Sequence, residues 1–502
     1  MTRKIRLLAL ALMACWASAA AAQSTLRIGI NEDPDALDPV SNRLASGRQP
    51  LTAICDKLFD VNTDLQLVPQ LAESYEIAPD GMSVTIKLRS GVKFHDGEPM
   101  DAEAVRFTVE RNINTPGSLR RSELTAVERV EVVDPLTVRF VLRQPQGYLL
   151  VVNLAERSGM IVSPKAARSL GDRFGAQPVC AGPYRFVERV PQGRILVERF
   201  IDYYDESMVG PDRIEYLPIA DSTVRLSALR SGEIQIAERL TPTDLPQLED
   251  DTNVRVVSTA DLGYHFIRFN TNNGPRGELL GRDVRLRRAI SLAIDRRAMV
   301  HALFDDKYVP GNQFVNPSSP YYDPTHPLPE RDVEASRRLL REAGAPNLTF
   351  TLLVPAERER QEAAQFVQAM LAEAGITMHV ETQDNATMLQ NAHRGQFEAV
   401  FSFWSGRPHP DGNVFAHYTC RGPQNDSRYC NPELDKVLTK ARETSGEEER
   451  QALYRRANAI LAEDVPSAIL WHRRTFTGLS TRVSGFVPHP DSTIRVRGLK
   501  LQ

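Results

Sequence analysis

The sequence predicts an α/β protein of two to four units, built on a sheet whose parallel strand pairs are covered on both faces. Three observations predict it. From 332 to 403, helical and extended patterns alternate, the order that makes parallel pairs. From Leu71 to Asn114, short strands and tight turns surround a single capped helix. The chain has 502 residues, more than one hydrophobic core normally serves.

In chain order, Arg3, Lys4 and Arg6 precede an apolar run, Leu7 to Met13, and the small residues Ala17 to Ala22. That is the pattern of a secretory signal peptide (1–22), leaving Gln23 first. Leu12-Met13-Ala14-Cys15 resembles an imperfect lipobox, Met13 being unusual there, so a lipid anchor at Cys15 is the alternative. No later run approaches the ~20 apolar residues of a spanning helix. Removing the leader takes net charge from −3 to about −6, which points away from nucleic acid and anionic membranes.

Leu26, Ile28 and Ile30 alternate as a strand, followed by the loop Asp35–Pro39, and Ile54–Phe59 reads as a helix end. Pro79-Asp80-Gly81 is a turn, and Val84, Ile86 and Leu88 form a half-buried strand. Val92–Phe94 reads as a second short extended run. Asp101 caps a helix carrying Ala104, Val105, Val109 and Ile113 on one side. Val130 and Val132 face Val138, Phe140 and Leu142 across Asp134-Pro135 as a hairpin. Strands follow at Gly182–Glu188 and Ile195–Tyr204, then a helix at Arg225–Ser231 and strands at Ile234–Ile236 and Tyr264–Asn270. Asp283 caps a helix whose apolar stripe runs from Leu286 to Leu303. The alternating part then places helices at Asp332–Ala343 and Glu357–Ala374, stopped by Gly344 and Gly375. Its strands are Leu348–Val354, Thr377–Glu381 and Phe397–Phe403. Asn431-Pro432 opens a further helix, Glu447–Ala462 forms another, and Ser467–His472 is extended.

Outside the leader four cysteines remain, in an oxidising compartment. Cys420 and Cys430 flank a polar loop that a bridge would close, worth roughly 2.8 kcal/mol in a chain-entropy treatment. Cys55 and Cys180 then pair by elimination. A zinc site from all four would need short C-x₂₋₄-C spacings, which are absent.

Catalytic motifs are missing: there is no G-x-S-x-G, H-E-x-x-H, G-x-x-x-x-G-K-[ST] or G-x-G-x-x-G. Ten histidines are scattered singly. His95, Asp96 and Glu98 cluster in one loop, where carboxylates closing turns onto backbone N–H groups are the ordinary reading. No cofactor, metal or catalytic residue is expected. Sequence alone leaves open a triad assembled only in space, hence a secreted hydrolase or peptidase on an α/β scaffold.

LAESYEIAPDGMSVTIKLRSGVKFHDGEPMDAEAVRFTVER closely resembles the signature region of the family 5 solute-binding proteins, the peptide- and nickel-type receptors of bacterial ABC importers. GPYRFVERVPQGRILVERFIDYYD and DVRLRRAISLAIDRRAMV resemble the same receptors, in the same order. The resemblance implies a two-lobed periplasmic binding protein fold, type II-like and of the large class with an extra inserted subdomain. The first lobe would take 23–265, with the insertion at about 60–168. The second α/β lobe would take 266–474, and 475–502 would return to the first. It further implies a periplasmic monomer that closes on a small molecule or short peptide and docks on an inner-membrane permease. Glutathione, opines, nickel chelates and haem are ligands of the family.

The ligand-binding stretch is expected after the strand ending at Phe403, since open sheets bind ligands at strand ends. Trp404, Ser405, Arg407, Asp411 and Asn413 are its candidate residues. In peptide-binding relatives this loop carries an aspartate for the peptide amine. Here Arg407 stands at that position, and its fork suits a carboxylate or phosphate. The alternative is that Arg407 merely pairs with Asp411 while Trp404 packs.

Overall fold

The computed structural model describes residues 23–502. The expected signal peptide, 1–22, and the alternative anchor at Cys15 lie outside them. One mixed sheet runs through both lobes. At its second-lobe end stand Thr377–Gln383, Thr349–Pro355 and Ala399–Trp404, with the middle strand parallel to both neighbours. At its first-lobe end, Thr25–Ile30 lies parallel to Arg213–Pro218 and Ile236–Leu240. The hairpin Tyr184–Val190 and Arg194–Arg199 completes that edge. Two long antiparallel strands, Val254–Phe269 and Ser467–Ser480, join the halves.

Each part has its own core. Ile28, Ile54, Tyr184, Val197 and Ile214 fill the first, with Ile494, Val496 and Leu499 of the C-terminal tail among them. Ile290, Val300, Leu352, Val367 and Trp471 fill the second. Leu226, Leu229, Leu240 and Val254 join that second core, so the apolar contacts divide ahead of the long strand. A separate four-stranded antiparallel sheet spans Ala72 to Leu142. With helix Ala102–Asn114 it encloses Ile86, Val105 and Phe140. This is the inserted subdomain.

Local capping chemistry accounts for most helix starts. Asp101, Asp332 and Asn431 each accept a hydrogen bond from the first turn of their helices. Gly344 and Gly375 leave their helices at positive φ, 68° and 81°. Asp295 does what the apolar stripe concealed. Its carboxylate accepts from Ala298 N, ending one helix, Val284–Leu292, and starting another, Arg296–Phe304, where a single helix was expected. Val92–Phe94 forms no strand, only a bridge between Lys93 and Pro99. Both joining strands run longer than their sequence patterns suggested.

Both expected disulfides form, Cys420–Cys430 across its polar loop and Cys55–Cys180, the pair left by elimination. The latter ties the C-terminal end of helix Ala45–Ile54 to the segment that follows the insertion. Beside it, His95 Nε2 lies 3.0 Å from Gly182 O, and Asp96 accepts from Ser163 Oγ. Glu98 pairs with Lys165, so this loop is a structural joint. Among the described residues, no helix is long and apolar enough to cross a membrane.

Candidate functional site

Strand Ala399–Trp404 pairs with the joining strand, Tyr264 opposite Trp404, and delivers the next loop to the inter-lobe side. Gly406, at φ 72°, lets that loop turn directly on the backbone of Leu262; a Cβ there would stand 2.3 Å from Leu262 O. Asn413 fastens the loop. Its Oδ1 accepts from Trp404 Nε1 at 2.9 Å and Arg407 N at 2.8 Å, while Nδ2 donates to Arg407 O.

Arg407 is thereby held with its guanidinium over the Trp404 ring, 4.7 Å from the centroid. Nη1 donates to Gly406 O at 2.7 Å and Ser405 Oγ at 3.2 Å. Burial lowers its pKa, which Glu156 opposes and Arg48 reinforces, but an arginine remains charged. Among the described residues, Arg407 forms no ion pair.

Asp411 has another partner than the alternative reading gave it. Arg442, from helix Pro432–Glu443, grips it with a fork, Nε–Oδ1 2.7 Å and Nη2–Oδ2 2.8 Å. The Arg442 guanidinium lies 3.2 Å from the Phe415 ring centroid, so the pair is locked on both sides. Arg407 is consequently free of Asp411.

The structure brings Trp404, Arg407 and Asp411 to one cavity of about 370 Å³ between the inserted subdomain and the second lobe. Such a volume is at the small end of the ~300–1,000 Å³ of typical ligand pockets. Ser405 and Asn413 are not on that wall, and Asn413 instead borders a second cavity of about 370 Å³, which Arg407 also lines. Arg407 therefore stands where two chambers meet. The opposite wall of the first chamber is formed by residues that sequence reasoning missed, notably Glu123, Leu149, Asn153 and Glu156. Burial raises the Glu156 carboxyl, but Arg48, Arg407, Lys57 and Arg157 outweigh it and hold the carboxyl below its ordinary value.

His409 sits between the walls, with the rings of Tyr148, Tyr321 and Tyr454 5.6–5.7 Å away. Burial pulls its pKa down to about 3, so it is a neutral packing group near neutrality. Tyr148, from the inserted subdomain, also covers the Arg450 guanidinium at 3.8 Å and so joins the two walls. The loop Asp35–Pro39 lies elsewhere, where Asp35 to Asp38 border a groove on the first lobe. Among the described residues, no three His, Cys, Asp or Glu side chains converge to hold a metal.

Comparison with known proteins agrees with this architecture. Residues 66–426 match the family described as bacterial extracellular solute-binding proteins, family 5 Middle. The glutathione-binding protein GsiB of Pectobacterium atrosepticum is 30% identical over 478 residues, 93% of this chain and 92% of that one. The periplasmic binding protein DppA from Helicobacter pylori, solved with peptide STSA, is 25% identical with a TM-score of 0.83, covering 95% of this chain and 98% of that one. The binding protein AgaA from A. tumefaciens R10, solved with agropinic acid, is 26% identical with a TM-score of 0.82, covering 95% and 99%. These relatives are solute-binding proteins, and nothing among them supports the hydrolase alternative.

Proposed function

This chain belongs to the bacterial extracellular solute-binding proteins of family 5, and from that premise we propose a receptor for small peptides or peptide-like solutes bearing a carboxylate. One observation carries the reading: Arg407 presents a stacked, positioned guanidinium to a cavity, with no carboxylate of the described chain paired to it. A partly buried cation without an ion-pair partner is costly. A ligand carboxylate accepting from its remaining N–H donors relieves that cost in the bound state. Trp404 supplies the apolar wall behind the fork. The ligands named for relatives, glutathione, a peptide and agropinic acid, each carry an acid group.

Export through the N-terminal leader, with cleavage after Ala22, would place the monomeric receptor in the periplasm. Because the cavity is walled by both the inserted subdomain and the second lobe, a ligand touching both favours the closed form. The closed receptor would then dock on an inner-membrane permease. Native mass spectrometry of the protein as purified tests the ligand class. The expected result is a retained solute, or on titration a bound small peptide or glutathione, carrying at least one acid group. A bound solute with no acid group refutes the reading.

A further inference from the structure

The first cavity is electrically polarised across the gap between lobes. The second-lobe side offers the Arg407 fork. The inserted-subdomain side offers Glu123 and Glu156. The arginines that form ion pairs with these carboxylates, Arg120 and Arg48, do not line the cavity, whereas Arg407, which does, holds the Glu156 carboxyl down from across it without pairing with it. Glu123 takes a 2.5 Å hydrogen bond from Arg120. Glu156 differs. Among the described residues its side chain accepts no hydrogen bond, and its nearest cation, Arg48, stands 3.8 Å away. That side chain is only 18% exposed, and it forms no ion pair with Arg407. A partly buried, ionised carboxylate with unused acceptor oxygens calls for donors from whatever occupies the cavity.

We propose that Glu156 of the inserted subdomain receives the ammonium group of the ligand while Arg407 of the second lobe receives its carboxylate, so that the receptor selects a zwitterion. The inference rests on the acid-anchoring reading above. The family's loop aspartate is absent at Arg407, and the only carboxylate further along that loop, Asp411, is engaged by Arg442. Among the described residues, a free amine therefore has no open carboxylate on the second-lobe wall. It has one on the opposite wall. An ammonium brings three donors to Glu156 oxygens that have none among the described residues, and its charge is opposite to theirs. Glu123, whose Oε2 is buried without a partner, flanks the same site and adds negative potential.

The test uses matched ligands on the full mature protein: reduced glutathione, Ala-Ala and Ala-Glu, each beside its N-acetylated form, measured by titration calorimetry. At least one free-amine probe should bind, and its N-acetylated form should bind about 30-fold more weakly or worse. Glu156→Gln should weaken the free-amine probe to a similar extent without further weakening the acetylated one. Glu156→Asp, which keeps the charge, should recover part of the loss. If acetylated and free probes bind equally, or Glu156→Gln leaves the free-amine affinity unchanged, the amine site is overturned while Arg407 anchoring stands. If no probe binds wild type, the peptide-like ligand class fails and this inference with it. Should Glu156→Gln fail to fold, the matched pairs on wild type still decide.

Discussion

Arg407 and Asp411 share one loop, and their substitutions should separate binding from stability. Arg407→Ala removes a guanidinium whose bonds within the protein go to Gly406 O and Ser405 Oγ, both in its own loop. The cost to folding is confined to its own loop, where a net hydrogen bond is worth about 0.5–1.5 kcal/mol and a partly buried cation–π contact about 0.5–2 kcal/mol. The cost to binding is large if a ligand carboxylate loses its partner: about 2–5 kcal/mol, a ~30-fold or greater fall in affinity. Arg407→Lys should recover only part, because one ammonium cannot reproduce a two-donor fork. Asp411→Asn acts the other way. It strips Arg442 of a paired carboxylate whose side chain is 9% exposed, and breaking such a pair costs about 3–5 kcal/mol of stability. Its effect on affinity should stay below about tenfold, because the Asp411 charge is already engaged. Titration calorimetry with glutathione or the retained solute, beside denaturant melts, measures both. An unchanged dissociation constant for Arg407→Ala refutes the anchoring role.

Two further outcomes follow from the fold. Replacing Cys55 and Cys180 by alanine opens a loop of sequence separation 125 and should cost about 2–5 kcal/mol, read in denaturant melts against the intact protein. Stability should also fall on acidification in two windows. Burial holds neutral His95 and His472 down to about 4, so the unfolded chain binds protons first and stability declines as pH drops from about 6.5 towards 4. Asp60 is raised by burial but brought down to about 2 by Lys57 and Arg495; its contribution, roughly 2 kcal/mol, is present above pH ~4 and lost as pH falls towards 2. Acid melts of Asp60→Asn should show a smaller lower step, the remainder belonging to Asp491, which Arg495 also holds well below the usual carboxylate range, and an undiminished step would contradict the assignment.

What was legible in the sequence is what local chemistry decides. Asp101, Asp332 and Asn431 cap because a side-chain oxygen reaches a backbone N–H two or three residues on, and no distant partner is needed. The same rule should have exposed Asp295, but apolar residues at helical spacing on both sides of it suggested continuity. The joining strand was only half visible. Its first part, Val254 to Gly263, contains Ser258, Asp261 and Gly263, which read as loop formers. Pairing with Ser467–Ser480 holds it extended all the same. Trp404 and Arg407 could be proposed from sequence because they follow a buried strand in a stretch that the family resemblance marks. Glu156, Tyr148 and Arg442 carried no local signal. Each takes its meaning from a residue on another element, as Arg442 does from Asp411, 31 positions away.

The placement of the loop ties the cavity wall to the strands that join the lobes. The long joining strands shift register between Ala260 and Tyr264. At that irregularity the Asp261 carboxylate accepts from Gly263 N and from Arg473 on the partner strand. Gly263 carries the Phe403 ring and Trp404 O so close that a Cβ would stand 2.8–3.0 Å from them, and Gly406 rests on Leu262. The Trp404–Arg407 loop is therefore packed backbone against backbone on the irregular part of the joining strand. The C-terminal segment meets the same point, Pro490 O accepting from Leu262 N, while Arg495 reaches Asp60 of the inserted subdomain. A shift of the loop towards a bound carboxylate must move with the joining strand, because nothing compressible separates them. Turning a receptor from 1:99 to 99:1 closed takes about 5.5 kcal/mol of differential affinity. One charge-paired contact, at about 2–5 kcal/mol, falls short of that. The two contacts proposed on opposite walls, together about 4–10 kcal/mol and complete only when the lobes approach, span that requirement. A ligand with an acid group alone should then bind Arg407 yet leave the receptor largely open, and small-angle scattering with N-acetylated against free-amine peptide would show the difference as a smaller radius of gyration with the free amine alone.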